Sequence, residues 1–569
     1  MQYQIYIHDR NYSSWEIQPK DKTPFVKNWF DKNPFDKKLF HEDILEIGEN
    51  QDQKDEIHLL TSKTREAKYI AGILILEKNK TFGRTPNKKR LYYSCIPHDK
   101  HLPTFLVPYD IDIGFEKVFP NKYVLFRFDH WTPQEKHPYG ILVETIGDVT
   151  NLFYHDIYQL YAKNLHRPHK HIQKQIQTHM KTKSLDTCIQ EILSDPKRFG
   201  KIEDRREIDR NIFSIDPTGC MDRDDALSIR TIIEDTVGLV ANHKYQVSVY
   251  IANVAIWIEY FQIYTFLQET NISTIYLQDN VIPMLPTALS EKICSLDQTH
   301  DCFAIVMDFE MDLLAKTIRP IETKQCLIRV QRNFDYNTKG LSLYPPYKNL
   351  LNVTQTFYPE IGESHALVAF WMMQMNREMA RELHRNKTGI FRISTSSRET
   401  LTSMKTDIFL YIWENAISGK YVTYSDDISD YTHAVIDVPI YTHFTSPIRR
   451  IVDIYNQMSW ISIKEKREMN IDIGIDIDKI NRDTKTIRKI QQESKIVHLL
   501  QIDTTLQIEG QILQIEEKNT MVYFPEYNSI VSCKTNVHSE WQIHQKVQCR
   551  IYMFERETGY RKKIKMEII

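Results

Sequence analysis

"SIDPTGCMDRDDALSI" (214–229) decides how this chain is read. It sets Asp216, Asp222, Asp224 and Asp225 within a ten-residue span, bordered by Ile212, Phe213, Ile215, Met221, Ala226, Leu227 and Ile229. Two like unit charges about 4 Å apart repel by roughly 4 kcal/mol at an effective dielectric of about 20. A fold tolerates such crowding when a cation neutralises it or when pKa values shift. An EF-hand fails on spacing: counting from Asp222, the sixth position is Leu227 and the twelfth Ile233, where the loop needs Gly and Glu. The apolar border fits poorly with a chance acidic surface. A hard divalent cation fits better, because Mg²⁺ takes oxygen ligands and keeps waters or substrate phosphates in its other positions. Two such ions about 3.5–4 Å apart stabilise both the attacking and the leaving oxygen of a phosphoryl displacement. Spacing alone leaves a structural cation site and an acidic turn standing beside the catalytic reading.

The second informative stretch is "YTHFTSPIRRIVDIYNQMSW" (441–460). Ser446 before Pro447 predicts a helix start, with Ser as N-cap and Pro at the first helical position. That start places Arg449 and Arg450 in the first turn, where cations oppose the helix dipole. Two arginines there predict an anion, since helix N-termini attract phosphate and Arg grips it in bidentate fashion. An ordinary exposed basic pair is the alternative. His443 reads as a structural histidine rather than a metal ligand.

The wider chain sets the frame. At 569 residues it predicts three or four domains. Its net charge of −2 argues against a wholly basic protein but leaves room for a local basic surface that binds nucleic acid. Eight cysteines without a CxxC pair make a zinc ribbon unlikely and fit reduced thiols. No secretory leader is read at the start, and the longest apolar runs are too short to cross a bilayer. The expectation is a soluble, intracellular, cytoplasmic protein with no membrane partner.

Short β-rich runs at 67–79, 89–97 and 121–131 predict a small β-barrel. A helix is expected over 151–166, then a basic, His-rich stretch (167–184) read as a solvated linker or helix face. From 186 to 503, β-like runs such as "KYQVSVYIANVAIWI" (244–258) alternate with helical ones such as "HALVAFWMMQMNREMARELHRN" (365–386), an α+β pattern. The tail from 504 returns to short strands.

Together these stretches resemble the RNB family of exoribonucleases, which includes ribonuclease II, ribonuclease R and the exosome catalytic subunit. "DPTGCMDRDDAL" (216–227) is similar to the family's aspartate motif, and "HFTSPIRR" (443–450) to its arginine motif. Between them "TIYLQDNVIPMLPTALSEKICSL" (274–296) resembles a third. The resemblance implies an α+β multidomain fold, with a central RNB catalytic domain flanked by small OB-fold β-barrels. Its expected layout is a shortened first cold-shock-like OB domain (1–58), a second (59–155), a helical basic linker (156–185), the RNB domain (186–503) and an S1-type OB domain (504–569).

The resemblance also implies chemistry. Asp216, Asp222, Asp224 and Asp225 are expected to hold one or two Mg²⁺ ions, with Mn²⁺ as a substitute. Asp224 and Arg449 are the expected catalytic residues, and Tyr276, Tyr336, Arg449 and Arg450 the expected RNA-binding ones. The implied activity is hydrolysis of single-stranded RNA from its 3′ end to nucleoside 5′-monophosphates, by a monomer that joins RNA-decay partners. A non-catalytic RNA-binding protein with the same fold, and a phosphodiesterase acting on DNA, are the rival readings. The chain departs from the family at Asn253 and Phe370, where acids are usual, and at Ile451, where a tyrosine is usual.

Overall fold

The structure is a computed structural model. It describes residues 2–20, 33–48, 56–111, 119–167, 169–232, 243–394, 419–427, 430–433, 436–466, 474–502, 505–516, 519–525, 529–533, 541–543, 545–555 and 562–569. The chain divides into two compact units. One comprises Met1–His166, Leu277–Asn280 and Ile487–Ile569; the other comprises Arg167–Tyr276 and Val281–Thr486.

Among the described residues the first unit holds three β-sheets. Gln2–Ile7, Trp15–Pro19, Ile44–Gly48 and Glu56–Thr61 form a four-stranded sheet. Ile5, Ile7, Tyr12, Ile17, Leu39 and Leu45 make its core. A six-stranded sheet follows, in which Ile70–Leu74, Leu91–Pro97 and Lys122–Phe128 are the runs expected from the sequence. Its interior is aromatic: Phe40, Tyr93, Phe105 and Phe126 pack with Leu74, Cys95 and Val124. The tail forms a five-stranded antiparallel sheet from Thr505–Glu516, Asn519–Phe524, Ser529–Cys533, Lys546–Glu555 and Lys562–Ile568. Gly510 allows a close crossing there, since a Cβ would stand 2.4 Å from Val522 Cγ1. The helix Leu152–Ala162 starts on an Asn151 cap.

The second unit is built on a seven-stranded sheet. Its order is Ile202–Arg205, Thr317–Arg329, Asp301–Asp312, Lys244–Ala252, Asp225–Thr231, Phe213–Asp216 and Arg332–Asp335. The outermost pairs are parallel and the inner ones antiparallel. Lys244–Ala252 and Asp301–Asp312 are buried along nearly their whole length. Such continuous burial marks strands covered on both faces and explains their unbroken apolar runs. Arg205, on the edge strand, reaches Asp308 with paired bonds of 2.9 and 2.8 Å, and Ser248 Oγ donates to the same carboxylate at 2.6 Å.

Helices pack on this sheet through apolar faces at helical spacing. In Ser364–Arg385 the buried stripe runs through Leu367, Trp371, Met375, Met379 and Leu383. The first eleven residues of Ile451–Glu465 are buried, so this helix is enclosed on all sides. The run 244–258, β-like in sequence, changes at Asn253. The strand ends at Ala252, and the Asn253 side chain accepts from Ile256 N–H at 3.1 Å to start the helix Val254–Phe261. The His-rich stretch is largely the helix Lys170–Thr182, in which only Ile176 is buried. Its histidines meet aromatic rings instead of one another: His169 lies edge-on to Phe266, and His179 edge-on to Tyr260.

The α+β architecture with flanking small β-sheets is the expected fold class. Among the described residues no helix is long and apolar enough to cross a membrane.

Candidate active site

Two strand ends and one loop bring the aspartates together. Asp216 is the last residue of Phe213–Asp216, and Asp225 the first of Asp225–Thr231. These strands pair only at Phe213–Leu227, so the loop between them splays open at its aspartate end. Ser214 shares a strand face with Asp216 by the two-residue period and donates to its carboxylate at 2.6 Å. Arg223 Nε stands 3.7 Å from the same carboxylate.

The third motif holds this loop in place. Ser295 Oγ accepts from Arg223 N–H at 3.1 Å, Leu296 N–H donates to Arg223 C=O at 3.0 Å, and Asp297 takes the Arg223 guanidinium at 2.7 Å. Sequence reasoning did not single out Ser214, Arg223 or Ser295. The signals were present as a serine two residues before an aspartate and an arginine set inside the acidic run.

Asp224 is 3 % exposed, and both of its oxygens have donors from the arginine motif. Ile448 N–H donates to Oδ1 at 2.8 Å and Arg449 Nε to Oδ2 at 2.9 Å. Burial pushes the Asp224 carboxyl up to about 7, against the pull of Arg449 and the Ile448 N–H. Burial likewise pushes Asp216 up to about 6, with Asp222 adding to it and Ser214 and Arg223 opposing. Asp225 is pushed well above the usual carboxylate range by burial, then by the charges of Asp216 and Asp224. Burial pulls the Arg449 guanidinium down, but Asp224 and Asp225 outweigh it and hold the guanidinium above its ordinary value.

The arginine motif departs from its expected form. The helix begins at Ile451, and Arg450 is its N-cap residue with extended backbone, so Ser446 is not the cap and neither arginine lies in the first turn. The cause is a strand-like contact. Thr274 N–H bonds Arg449 C=O, Ile451 N–H bonds Ile272 C=O, and Ser273 and Arg450 form an antiparallel bridge. Ser446 N–H instead donates to Asp453 Oδ1 at 2.7 Å. The same contact carries Tyr276 toward the centre: it is 45 % exposed, and Arg449, Asp222 and Asp224 are the charges that act most on its hydroxyl.

Arg450 goes elsewhere, pairing with the buried Asp453 at 2.9 Å. Tyr336 N–H donates to the Asp216 C=O at 3.0 Å, and after burial the charges of Asp225 and Asp216 act most on its hydroxyl. Asp222 is half-buried and accepts from the Cys220 thiol at 3.4 Å. His443 is bonded at Nδ1 to the Tyr421 hydroxyl at 2.7 Å. The three departures from the family pattern are all buried: Asn253 caps a helix, Phe370 packs against Tyr358 and Trp371, and Ile451 opens the enclosed helix.

Among the described residues no three His, Cys, Asp or Glu side chains already stand as ligands around one point. Asp224 is occupied by its two donors and Asp216 by Ser214. The donor set nonetheless fits a hard divalent cation. Every candidate ligand is a carboxylate oxygen, and among the described residues Asp225 accepts no hydrogen bond while it faces two like charges.

Two stretches of the chain match models of known domains. Residues 204–340 match the RNB domain, and residues 92–153 match the Dis3-like cold-shock domain 2. Residues 204–340 therefore belong to an RNB domain, and a Dis3-like cold-shock domain precedes it in the chain. DIS3-like exonuclease 2 of Schizosaccharomyces pombe is 25 % identical over 330 residues, which covers 53 % of this chain and 33 % of that protein. Exosome complex exonuclease RRP44 of Mus musculus is 22 % identical over 504 residues, 72 % of this chain and 49 % of that one. The chain thus spans about a third to a half of the length of these relatives.

Among solved structures, Mycoplasma genitalium RNase R in complex with ribose methylated single-stranded RNA superposes with a TM-score of 0.66 at 16 % identity, over 100 % of both chains. Yeast Ssd1, a pseudonuclease, gives 0.52 at 13 % identity, over 88 % of this chain and 70 % of that one. These likenesses are of fold.

Proposed function

We propose that this chain is a Mg²⁺-dependent hydrolytic exoribonuclease, which removes nucleoside 5′-monophosphates from the 3′ end of single-stranded RNA. The observation that carries the proposal is the Asp224–Arg449 pair. It joins the aspartate motif to the arginine motif beside the buried Asp216 and the half-buried Asp225, two carboxylates that carry raised pKa values. The names of the RNase R and RRP44 relatives support the same reaction class.

Asp216, Asp222 and Asp225 would hold the cation, with Asp224 as the fourth carboxylate. Bound there, a divalent ion supplies a nucleophilic water and neutralises charge on the transferred phosphoryl group. The rest falls to the chain's own side chains. Arg449, whose side chain is 46 % exposed and whose Nε and Nη2 are held by Asp224 and Ser446, meets a phosphate oxygen and stabilises the charge that develops during displacement. Asp224 orients that guanidinium through Nε. Tyr276 offers an aromatic face to the terminal nucleotide, and stacking of this kind is worth about 1–3 kcal/mol per base. Arg450, tied to Asp453, contributes by fixing the backbone that carries Arg449.

The rival reading is a non-catalytic RNA-binding protein on the same fold, a state that the named pseudonuclease Ssd1 illustrates. A purely binding surface gains nothing from clustered carboxylates that repel phosphate. The proposal includes monomeric action inside the cell, in the cytoplasm, and association with an RNA-decay assembly of the kind RRP44 is named for. The deciding experiment incubates 3′-tailed RNA, and its DNA equivalent, with Mg²⁺ or EDTA. Laddering of RNA alone, abolished by EDTA, is expected. Tight RNA binding without products under every condition would establish the rival, and equal laddering of DNA would overturn the substrate class.

A further inference from the structure

His365 is the second residue of the helix Ser364–Arg385 and is exposed. An exposed histidine is normally free to change rotamer. This one is not: its ring lies parallel to that of Tyr336, with centroids 3.5 Å apart and planes 10° apart. Tyr336 follows the strand Arg332–Asp335, and its N–H is bonded to Asp216 C=O, so its backbone is fixed. The ring's direction is left to its side-chain torsions, and His365 covers one of its faces. Among the described residues the Tyr336 hydroxyl makes no hydrogen bond, and after burial the charges that act most on it are those of Asp225, Asp216 and Arg449. A neutral O–H donor therefore stands unused among the charged groups of the cleavage centre.

We infer that His365 is a positioning residue whose ring, stacked on Tyr336, holds the phenol hydroxyl where it donates to a phosphate oxygen of the bound RNA. The inference rests on the exoribonuclease reading of the same centre. Its physical requirement is a flat ring of suitable size at position 365, since stacking depends on planarity and contact and not on a proton on the imidazole. Losing the ring frees Tyr336 to rotate, which leaves RNA affinity largely intact and takes away a donor aimed at developing charge.

Steady-state cleavage of single-stranded RNA by the full chain tests this through kcat and KM separately. His365→Ala is expected to lower kcat about tenfold with KM within about twofold, and His365→Phe to restore most of the loss. Tyr336→Phe removes the hydroxyl, so adding His365→Ala to it is expected to cost less than about twofold more. A His365→Ala effect confined to KM, failure of His365→Phe to restore kcat, or multiplication of the two losses would each overturn the inference.

A wild-type chain that releases no nucleotide overturns the functional reading instead. The stack is then judged without activity, on protein carrying ¹³C-labelled tyrosine. His365→Ala is expected to move the Tyr336 ring resonance, identified by its disappearance in Tyr336→Phe. A resonance that stays in place overturns the inference.

Discussion

Arg449 Nε lies 2.9 Å from Asp224 Oδ2, joining residues 225 positions apart in sequence. Asp224 is buried while the arginine side chain is 46 % exposed, so one partner is fixed and the other faces outward. This asymmetry suits a guanidinium that must be held at one edge and meet a substrate at the other.

Asp224→Asn keeps the shape of the side chain and removes its charge. The expected result is a fall in nucleotide release of at least about 100-fold, the scale on which loss of one preorganised electrostatic group acts. RNA affinity is expected to stay within about threefold, because Arg449 and Tyr276 remain. Product release and filter binding on one preparation check both halves; a variant with wild-type turnover would remove Asp224 from the reaction.

Cation binding has a readout independent of catalysis. Mg²⁺ is expected to raise the melting temperature of the wild-type chain, since a ligand that binds only the folded state stabilises it. EDTA reverses the shift. Asp225→Asn is expected to abolish most of it, because among the described residues that half-buried carboxylate has no hydrogen-bond donor. A Mg²⁺ shift of equal size in wild type and variant would show that the ion binds elsewhere.

The ion pair Arg205–Asp308 is 3 % exposed on both sides. Removing one partner leaves a buried charge unpaired, which costs roughly 3–5 kcal/mol. Arg205→Ala and Asp308→Ala are each expected to lower the unfolding free energy of the second unit by that much, read from denaturant titrations. Loss of under about 1 kcal/mol would mean that water reaches the abandoned charge.

Acid sensitivity should appear in the first unit. His155, bonded at Nδ1 to the Tyr123 hydroxyl at 2.9 Å, is pulled from 6.5 down to about 4 by burial, helped by Lys562 and His498. The unfolded chain therefore takes up a proton that the folded one resists. The contribution of His155 is fully present above pH 6.5 and falls away as pH drops from 6.5 toward about 4. The loss amounts to roughly 3 kcal/mol at most, at 1.36 kcal/mol per unit. His155→Gln is expected to flatten the stability–pH slope over that window. An unchanged slope would assign the acid response to other groups.

Much of this architecture was legible in the residues. Apolar periodicity marked Ser364–Arg385, because burial of one face imposes a repeat on a helix. The crowding of four aspartates marked the site, because unpaired like charges are costly. The start of Ile451–Glu465 was misread. Ser-Pro is a local helix signal, and it was overridden by backbone pairing with 272–274, a contact between segments far apart in sequence. Arg449 and Arg450 look equivalent as letters, yet one meets Asp224 and the other Asp453. Only the extended backbone at Arg450 separates them. Arg223 was passed over because an arginine among aspartates reads as local neutralisation, whereas its partners Ser295 and Asp297 come from a motif some seventy residues on.

The cap at Asn253 carries a last consequence. Its amide accepts from Ile256 N–H and donates to Gln325, whose own amide donates to Phe199 C=O. Every group in that relay is a neutral amide or a peptide, with no proton to gain or lose in the physiological range. That chain of contacts, which turns a strand into a helix at Asn253, therefore keeps its bonds unaltered as pH changes around it.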